Sequence, residues 1–495
     1  MILLRLLSPE SDRFENDIRA IIMSFYLGEK ICTPRQKFPE EEPLRAEIRL
    51  RAEDGQLRLA ASEGAVYTGS ALPFEKGDRK KERDQIKTGL YRLLCFHTGQ
   101  RLPWGTLTGV RPAKIPMEMY REGGSRRDAA AFLQEKYFVS EEKAQLCAEI
   151  AERELDVLGR IKPEKAFSIY IGIPFCPSIC AYCSFSSYPI ARWQERTDEY
   201  LTALEKEIEA VSRLVKKRTP MTLYMGGGTP TSISAAQLDR LLGTLSETFD
   251  FSGIQEITVE AGRPDSITLE KLQVLARRGV SRISINPQTM NQRTLDLIGR
   301  RHSTEQVKEA FAMARQTGFQ NINMDLIAGL PGEKPEDMRR TMEEVCALQP
   351  DSITVHSLAL KRAAFLNRNR DLFPSASARE VNEMIRISRE AARGLGMHPY
   401  YIYRQKNIAG NLENTGYAGN GCEGLYNILI MEEKQTILAL GSGGMSKFLL
   451  PGPGGSDRLE RVENVKSVDD YIGRIDEMIR RKEVFIHQHA DELGW

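Results

Sequence analysis

Three cysteines within eight residues, Cys176, Cys180 and Cys183, are the residues of this chain whose type and spacing speak most directly of chemistry. They form Cys-x3-Cys-x2-Cys in the segment GIPFCPSICAYC, where Pro174 and Pro177 keep the chain out of a helix. Three soft thiolates so close together select zinc or an iron–sulfur cluster. A structural zinc site takes a fourth thiolate or imidazole at matching spacing, and the nearest histidines in sequence, His97 and His302, are not close. A [4Fe–4S] cluster on three cysteines instead leaves one iron open to a ligand, which suits binding a small molecule and passing an electron to it. The other cysteines, Cys32, Cys95, Cys147, Cys346 and Cys422, are scattered and form no pattern.

A second signal is GGGTPT, Gly226 to Thr231. Consecutive glycines let main-chain donors and acceptors approach a charged ligand with no Cβ in the way. These signals need elements to position them. From Phe167 onward, the short apolar runs FSIYIGIPF, TLYMGGG, EITVEAG, RISINPQ, NINMDLIAGL and SITVHSLAL alternate with helical patterns such as DEYLTALEKEIEAVSRLV and AAQLDRLLGTLSETF. Six strands alternating with helices predict βα units and a parallel sheet. A full barrel takes eight units and about 250 residues, so the chain is expected to form a partial (β/α)6 barrel, an α/β fold. Its site should lie at the carboxyl ends of the strands. The signals obey that placement: the cysteine loop follows the first strand and GGGTPT the second. Glu260, Gln288, Asp325 and Ala359 lie at or near the ends of the other four.

Around this barrel, expected at residues 164–370, the pattern changes. Residues 1–85 read as a small α+β domain with a hairpin signal at Asp54-Gly55. Residues 86–163 read as a helical connector ending at Lys162-Pro163, and residues 371–495 as a mixed C-terminal, substrate-side region. The last part holds the run YYIYRQKN, the Gly-rich LGSGGMSK and a charged helical pattern expected to be a solvated face.

Composition narrows the functional classes. Lys plus Arg count 69 against 68 for Asp plus Glu, a net charge of +1, so no overall field draws nucleic acid or anionic lipid. Apolar residues at 41% with 28% charged describe a folded globular chain. Eight cysteines in 495 residues are too sparse for a disulfide scaffold. The start, MILLRLLSPESDRF, lacks the long apolar region of a signal peptide. The longest uncharged stretch, Ala166 to Ala191, is interrupted by Pro174, Pro177 and Pro189 and reads as no membrane span. The expectation is a cytoplasmic protein, where thiols stay reduced, with no nucleic-acid partner and no membrane insertion.

The cysteine spacing resembles the cluster motif of the radical S-adenosylmethionine superfamily, and GGGTPT resembles its second motif. YIGIPFC, RISINPQTMNQRTLDLIGRRHS and NINMDLIAGLPGE resemble the oxygen-independent coproporphyrinogen III oxidase-like group, which includes heme-chaperone relatives. That likeness covers about residues 165 to 365. KTGLYRLLCFHTGQRLPWGTLTGVRP, YRQKN and LENTGYA resemble its HemZ branch, the coproporphyrinogen dehydrogenases. The resemblance implies a [4Fe–4S] cluster on Cys176, Cys180 and Cys183. It implies S-adenosylmethionine contacts at Tyr170, Tyr182, Gly227, Gly228, Thr229, Glu260, Gln288, Arg300, Asp325 and Ala359. A carboxylate such as Glu260 suits ribose hydroxyls as an acceptor of two O–H donors, and the forked guanidinium of Arg300 suits the cofactor's methionine carboxylate. No further side chain is expected to be catalytic in its own right.

The implied activity is oxidative decarboxylation of two coproporphyrinogen III propionates to vinyl groups, giving protoporphyrinogen IX. The cofactor, cleaved by one electron, supplies a 5′-deoxyadenosyl radical that takes a hydrogen from the propionate β-carbon. A flavodoxin- or ferredoxin-type reductant is implied as electron donor. The alternatives are a heme-binding or heme-trafficking chaperone on the same fold, and another tetrapyrrole-modifying radical enzyme. The oxidases carry a further cysteine two positions after the third ligand; here, as in the heme-chaperone relatives, that position is phenylalanine, Phe185. Against the chaperone reading, NLENTGYAG lacks the histidine and tryptophan those relatives have in the C-terminal half. Arg404 and Lys406, among Tyr400, Tyr401 and Tyr403, are candidates for binding propionates. LGSGGMSK is a candidate contact to cofactor or substrate, and His302 and His356 are candidates for heme or proton transfer. His356, in an apolar strand, reads first as a core histidine.

Overall fold

Short-range sequence signals build the N-terminal unit of the computed structural model, which describes residues 1–34, 43–162, 166–216, 218–359, 364–369, 373, 376–405, 408–452 and 457–495. Five strands form its sheet: β1 (Ile2–Leu6), β2 (Ile31–Cys32), β3 (Ala46–Glu53), β4 (Gln56–Glu63) and β5 (Val66–Pro73), in the order β2-β1-β3-β4-β5. The β3–β4 hairpin turns at Asp54 (φ +49°) and Gly55 (φ +70°). Positive φ at both central residues gives the turn the hand of the strand twist. Helices Glu15–Phe25 and Arg79–Thr98 supply Ile18, Ile22, Ile86, Leu90 and Leu94 to the core beneath this sheet. The second helix starts where the Asp78 carboxylate accepts from the amides of Lys80 and Lys81, and stops at Gly99 in the left-handed region. The expected division at residue 85 therefore falls inside a helix that belongs to the first core.

Helices Lys114–Arg121, Arg126–Tyr137 and Glu141–Gly159 form a separate core around Trp104, Leu133 and Ile150. Pro163, half of the expected boundary, lies outside the described residues. The helical unit is tied to the C-terminal part by a buried ion pair, Lys143 Nζ to Glu413 Oε1 at 2.6 Å, and by Trp104 Nε1 donating to Glu413 Oε2 at 2.8 Å.

The remaining strands are β6 (Phe167–Ile173), β7 (Phe175–Cys176), β8 (Tyr188–Pro189), β9 (Pro220–Gly227), β10 (Glu256–Gly262), β11 (Arg282–Ile285), β12 (Ile322–Ala328) and β13 (Ser352–Ser357). They are followed by β14 (His398–Arg404), β15 (Glu413–Ala418), β16 (Thr436–Leu440), β17 (Met445–Pro451) and β18 (Asp457–Glu463). Eleven of these form one sheet in the order β14-β15-β13-β12-β11-β10-β9-β6-β16-β17-β18. The six expected barrel strands, β6 and β9 to β13, are consecutive and parallel within it. Leu223, Val259, Ile283 and Met324 are fully buried, each contributing about 1.5–3 kcal/mol over an exposed side chain. Helices Thr197–Leu214, Ala235–Thr248, Leu269–Arg277, Thr304–Thr317 and Pro335–Leu348 form the crossovers. The strand order is linear among the described residues, so the barrel is open.

Two features of this sheet go beyond the sequence reading. β16, TILAL, pairs parallel with β6 and extends the sheet beyond six strands; it is buried throughout, and its short apolar run carries no polar signal. The terminal helix Ile475–Gln488 is not only a solvated face, because Lys482 is fully buried against Glu207 at 2.7 Å. Among the described residues, no helix is long and apolar enough to cross a membrane.

Candidate functional site

The cysteine loop is bracketed by the short parallel pair β7–β8, which joins Phe175 to Tyr188 and Cys176 to Pro189. From below, the second motif cradles it: the amides of Gly228 and Thr229 donate to the carbonyls of Ile173 and Phe175, both at 2.7 Å. A Cβ on Gly228 would stand 2.6 Å from the Phe175 carbonyl and 3.0 Å from Cys176 Sγ, so only glycine fits there. The Thr229 hydroxyl lies 3.5 Å from Cys176 Sγ. From the side, the Ala181 amide donates to the Ile298 carbonyl at 2.9 Å, and Ser178 Oγ donates to the Gly299 carbonyl at 3.0 Å.

Cys176 and Cys180 are buried and Cys183 is half-buried. Burial, with the neighbouring thiols of Cys183 and Cys180, pushes the Cys176 thiol up to about 11 despite the opposing Thr229 hydroxyl. Among the described residues, no three His, Cys, Asp or Glu side chains converge on a single metal ion. Thiols that each hold a separate corner of a cluster have no need to converge.

Above the sheet, the three thiols open onto a cavity of about 390 Å³. Of the residues singled out from sequence, Tyr182, Gly227, Gly228, Thr229, Glu260, Gln288, Arg300, Asp325 and Ala359 line it. Tyr170 does not: its ring stacks on Tyr224 (6.2 Å between centroids) and Tyr426 (6.4 Å), forming a second layer behind the wall. The reason is its place inside β6, two residues before the loop leaves the sheet at Gly172 and Ile173.

Two carboxylates face this cavity in opposite electrostatic settings. Burial pushes Glu260 up to about 7, opposed by the Tyr224 hydroxyl that donates to its Oε1 and reinforced by Asp325. Burial also acts to raise Asp325, but His356 and the Asn323 amide, at 2.7 Å from Oδ1, hold it below the ordinary carboxylate value. His356 Nε2 lies 3.8 Å from Asp325 Oδ2, and its Nδ1 lies 3.2 Å from the Tyr403 hydroxyl. The imidazole lines the cavity, which corrects the core reading of this residue. Period-2 alternation along β13 puts it on the same face as Thr354, which also lines the cavity, and the parallel neighbour β12 supplies its carboxylate.

Gln288 adopts φ +70°, a left-handed conformation uncommon for a side chain of its size. It is held by Gln288 N donating to Asp325 O at 3.0 Å and Ile327 N donating to Gln288 O at 2.9 Å. Arg300 is buried, with Nη1 donating to the Tyr182 hydroxyl at 3.1 Å, Nη2 to the Asn286 carbonyl, and its Nε left without a protein partner.

The C-terminal candidates separate. Tyr401 and Tyr403 line the cavity, whereas Arg404 does not. The Arg404 guanidinium is buried over the Trp104 ring at 5.1 Å and donates to the carbonyls of Asn411 and Leu107. Burial lowers it to about 9. Its side chain points to the opposite face of β14 from the odd-numbered tyrosines, so it ties the helical unit to the sheet. Lys406 lies outside the described residues. LGSGGMSK is the β16–β17 turn, with Gly441 at φ +99° pressed against the Gly172 carbonyl, and it does not reach the cavity. His302 is buried beneath Arg300 with both ring nitrogens unpartnered, pushed down to about 3 by burial, and it does not line the cavity either. Sequence reasoning passed over Arg263, Arg282 and Tyr224, which do line it; Tyr224 lies within β9 and Arg282 opens β11, so no strand-end signal marked them.

Comparison with known proteins agrees with this geometry. Residues 170–345 match the model of the radical SAM superfamily. The chain is 42% identical over 420 residues to the oxygen-independent coproporphyrinogen-III oxidase-like protein HemZ of Bacillus subtilis, spanning 84% of this chain and 83% of that one. It is 33% identical over 318 residues to the heme chaperone HemW of Bacillus subtilis, spanning 63% of this chain and 76% of the relative. The solved coproporphyrinogen III oxidase HemN of Escherichia coli superimposes with a TM-score of 0.52 at 25% identity, covering 64% of this chain and 71% of that structure. With the partial barrel, the loop of three thiols and these likenesses in agreement, the chain belongs to the radical SAM superfamily, in its oxygen-independent coproporphyrinogen-III oxidase-like group, whose cofactors are a [4Fe–4S] cluster and S-adenosylmethionine.

Proposed function

We propose that this protein is an oxygen-independent coproporphyrinogen III dehydrogenase of heme biosynthesis, acting in a reducing compartment such as the cytoplasm. The observation that carries the reading is a single cavity shared by the cysteine loop, the carboxylates of Glu260 and Asp325, and a wall of His356, Tyr401 and Tyr403. A chain that merely stored a cluster would need the first of these and neither of the others.

The residues fit the family's cofactors. Three thiols are the soft donor set of an iron–sulfur cluster, and we assign Cys176, Cys180 and Cys183 to it. The Gly228 backbone sits where any Cβ would strike the loop, a cradle built for close approach. Asn286 Oδ1 and Arg300 Nε are buried without protein partners, and such groups are normally satisfied. A bound ligand would satisfy them. We assign S-adenosylmethionine to Tyr182, Gly227, Gly228, Thr229, Glu260, Gln288, Arg300, Asp325 and Ala359, with Tyr170 as a backing ring. When bound, the two groups supply a primary-carbon radical able to remove a hydrogen atom from an unactivated position.

The chain's own residues then bind, orient and exclude. Glu260 and Asp325 accept hydroxyl donors of a ribose, and Arg300 holds the cysteine loop while leaving Nε for a carboxylate. The cavity walls limit the approach of water and oxygen to a reactive carbon. Each propionate loses one hydrogen atom from its β-carbon, one electron and CO2, and a vinyl group remains. A flavodoxin- or ferredoxin-type protein is the proposed reductant.

The test is anaerobic incubation of the reconstituted protein with reductant, S-adenosylmethionine and coproporphyrinogen III, read by mass spectrometry. The expected result is loss of two carboxyl groups per porphyrinogen with matching 5′-deoxyadenosine. Intact substrate, with 5′-deoxyadenosine formed only at the rate seen without it, would overturn the assignment. A heme-chaperone reading is favoured by one observation: Phe185, at the cavity mouth and 70% exposed, offers an apolar face where the oxidases carry cysteine. Tight one-to-one heme binding without porphyrinogen turnover would select it.

A further inference from the structure

Arg263 follows β10, one residue beyond Gly262, and is 3% exposed. Its Nε and Nη2 fork onto Asp265, donating to Oδ1 at 2.9 Å and Oδ2 at 2.6 Å. That clamp leaves Nη1 free to face the cysteine loop. Nη1 donates to the Ser178 carbonyl at 3.0 Å and to Ser178 Oγ at 2.6 Å, and lies 4.0 Å from Cys180 Sγ. Ser178 lies between the first two cysteines of the motif and its own hydroxyl donates a hydrogen bond to the Gly299 carbonyl. Arg300 approaches the same sulfur, with Nη1 at 3.8 Å. Two buried guanidiniums therefore lie near one thiol of the loop, while the Cys176 thiol has the Thr229 hydroxyl at 3.5 Å.

This arrangement exceeds what a turn requires. An Arg263–Asp265 pair closing the segment after β10 would be complete with Nε and Nη2. The remaining nitrogen is spent entirely on the cysteine loop. A cluster of charge 2+ on three thiolates carries a net charge of −1, and one-electron reduction makes it −2. Adding that charge in a buried site is unfavourable unless positive groups stand close. Hydrogen bonds and charge near the sulfurs are among the protein's means of setting a cluster's potential.

We propose that Arg263 is a positioning residue for the cluster: clamped by Asp265, it fixes the Cys176–Cys183 loop through Ser178 and, with Arg300, holds positive charge at the Cys180 sulfur, raising the reduction potential of the bound cluster and slowing its loss. The proposal rests on the assignment of the three cysteines to the cluster and is independent of the tetrapyrrole substrate.

The test uses the full chain, reconstituted anaerobically, as wild type and as Arg263→Gln, Arg263→Lys and Asp265→Asn. Iron and sulfide content, the midpoint potential from an EPR-monitored reductive titration, and the rate of iron release to a chelator are measured. Arg263→Gln is expected to shift the midpoint to lower potential and release iron several-fold faster. Arg263→Lys, which keeps the charge but not the fork, is expected to stay near the wild-type potential while releasing iron at the faster rate. Wild-type potential and wild-type release in Arg263→Gln would overturn the proposal. If Arg263→Gln does not fold, Asp265→Asn decides: faster release at near wild-type potential supports the clamp, and unchanged release overturns it. Failure of the wild-type chain to take up four irons would overturn the cluster assignment beneath, a result distinct from normal loading with an indifferent Arg263.

Discussion

Two glutamates of the same domain, one fully buried and one half-buried at the cavity, are treated in opposite ways. Glu207 on the helix Thr197–Leu214 is fully buried and saturated. Its Oε1 accepts from Lys482 at 2.7 Å and Asn464 at 2.8 Å, and its Oε2 from Tyr471 at 2.6 Å and the Gly441 amide at 2.8 Å. Glu260, at the open end of β10, has the Tyr224 hydroxyl on Oε1 and a cavity in front of it. The first arrangement spends every lone pair on the fold and anchors the C-terminal helix to the barrel. The second keeps acceptor capacity in reserve, at the cost of a carboxyl pushed up to about 7 chiefly by burial. Saturation marks a structural carboxylate, and incomplete satisfaction beside a cavity marks one with work left to do.

Breaking the saturated cluster should have the largest effect on stability. Lys482→Met removes the cationic partner of buried Glu207, and denaturant unfolding should show a loss of about 3–5 kcal/mol. A loss below about 1 kcal/mol would mean that water replaces the lysine and that the cluster is not the anchor described here.

Glu260→Gln should behave in the opposite manner. The folded-state value near 7 stands above the ordinary 4.5, so in that interval the folded chain holds a proton that the unfolded chain releases. Glu260 therefore makes stability fall as pH rises from about 4.5 to about 7, by at most about 3.5 kcal/mol. Unfolding curves across that range should flatten in Glu260→Gln, whose stability at pH 7.5 should equal or exceed that of the wild type. Its affinity for S-adenosylmethionine should drop roughly 10-fold or more, as a charged acceptor of hydroxyl donors is replaced by a neutral one. Calorimetric titration of the cluster-loaded protein reads this directly, and unchanged affinity would remove Glu260 from the site.

The smallest effect is expected at His356. His356→Phe removes a partner of Asp325 and of the Tyr403 hydroxyl, but leaves Asn323 bonded to the carboxylate. Affinity should weaken by a few-fold, about 1 kcal/mol or less, with little change in stability. A loss of stability as large as that of Lys482→Met would place His356 with the structural groups and erase the distinction between the two clusters.

How much of this was legible in the chain follows from the range of each interaction. The cysteine spacing, the glycine triplet, the Asp54-Gly55 turn and the six buried strands are local patterns, because thiolate geometry, backbone freedom and strand periodicity are properties of a few adjacent residues. Parallel pairing then carries the ends of those strands to one side, so the strand-end placement of Glu260, Gln288, Asp325 and Ala359 followed from the same periodicity. Roles that depend on a partner far along the chain were not legible. Arg404 looked like a propionate binder until Trp104 and the carbonyl of Leu107, some 300 residues earlier, were found around it. Lys482 looked like part of a solvated helix until Glu207 was found beneath it, and Arg263 carried no signal until Ser178 closed on its third nitrogen. Sequence alone determined the cysteine spacing and the succession of the six βα strands, since both are written in neighbouring residues. Only the tertiary structure decided which charged groups are saturated and which are left facing the cavity, because a charge's role is set by what surrounds it after the chain has closed.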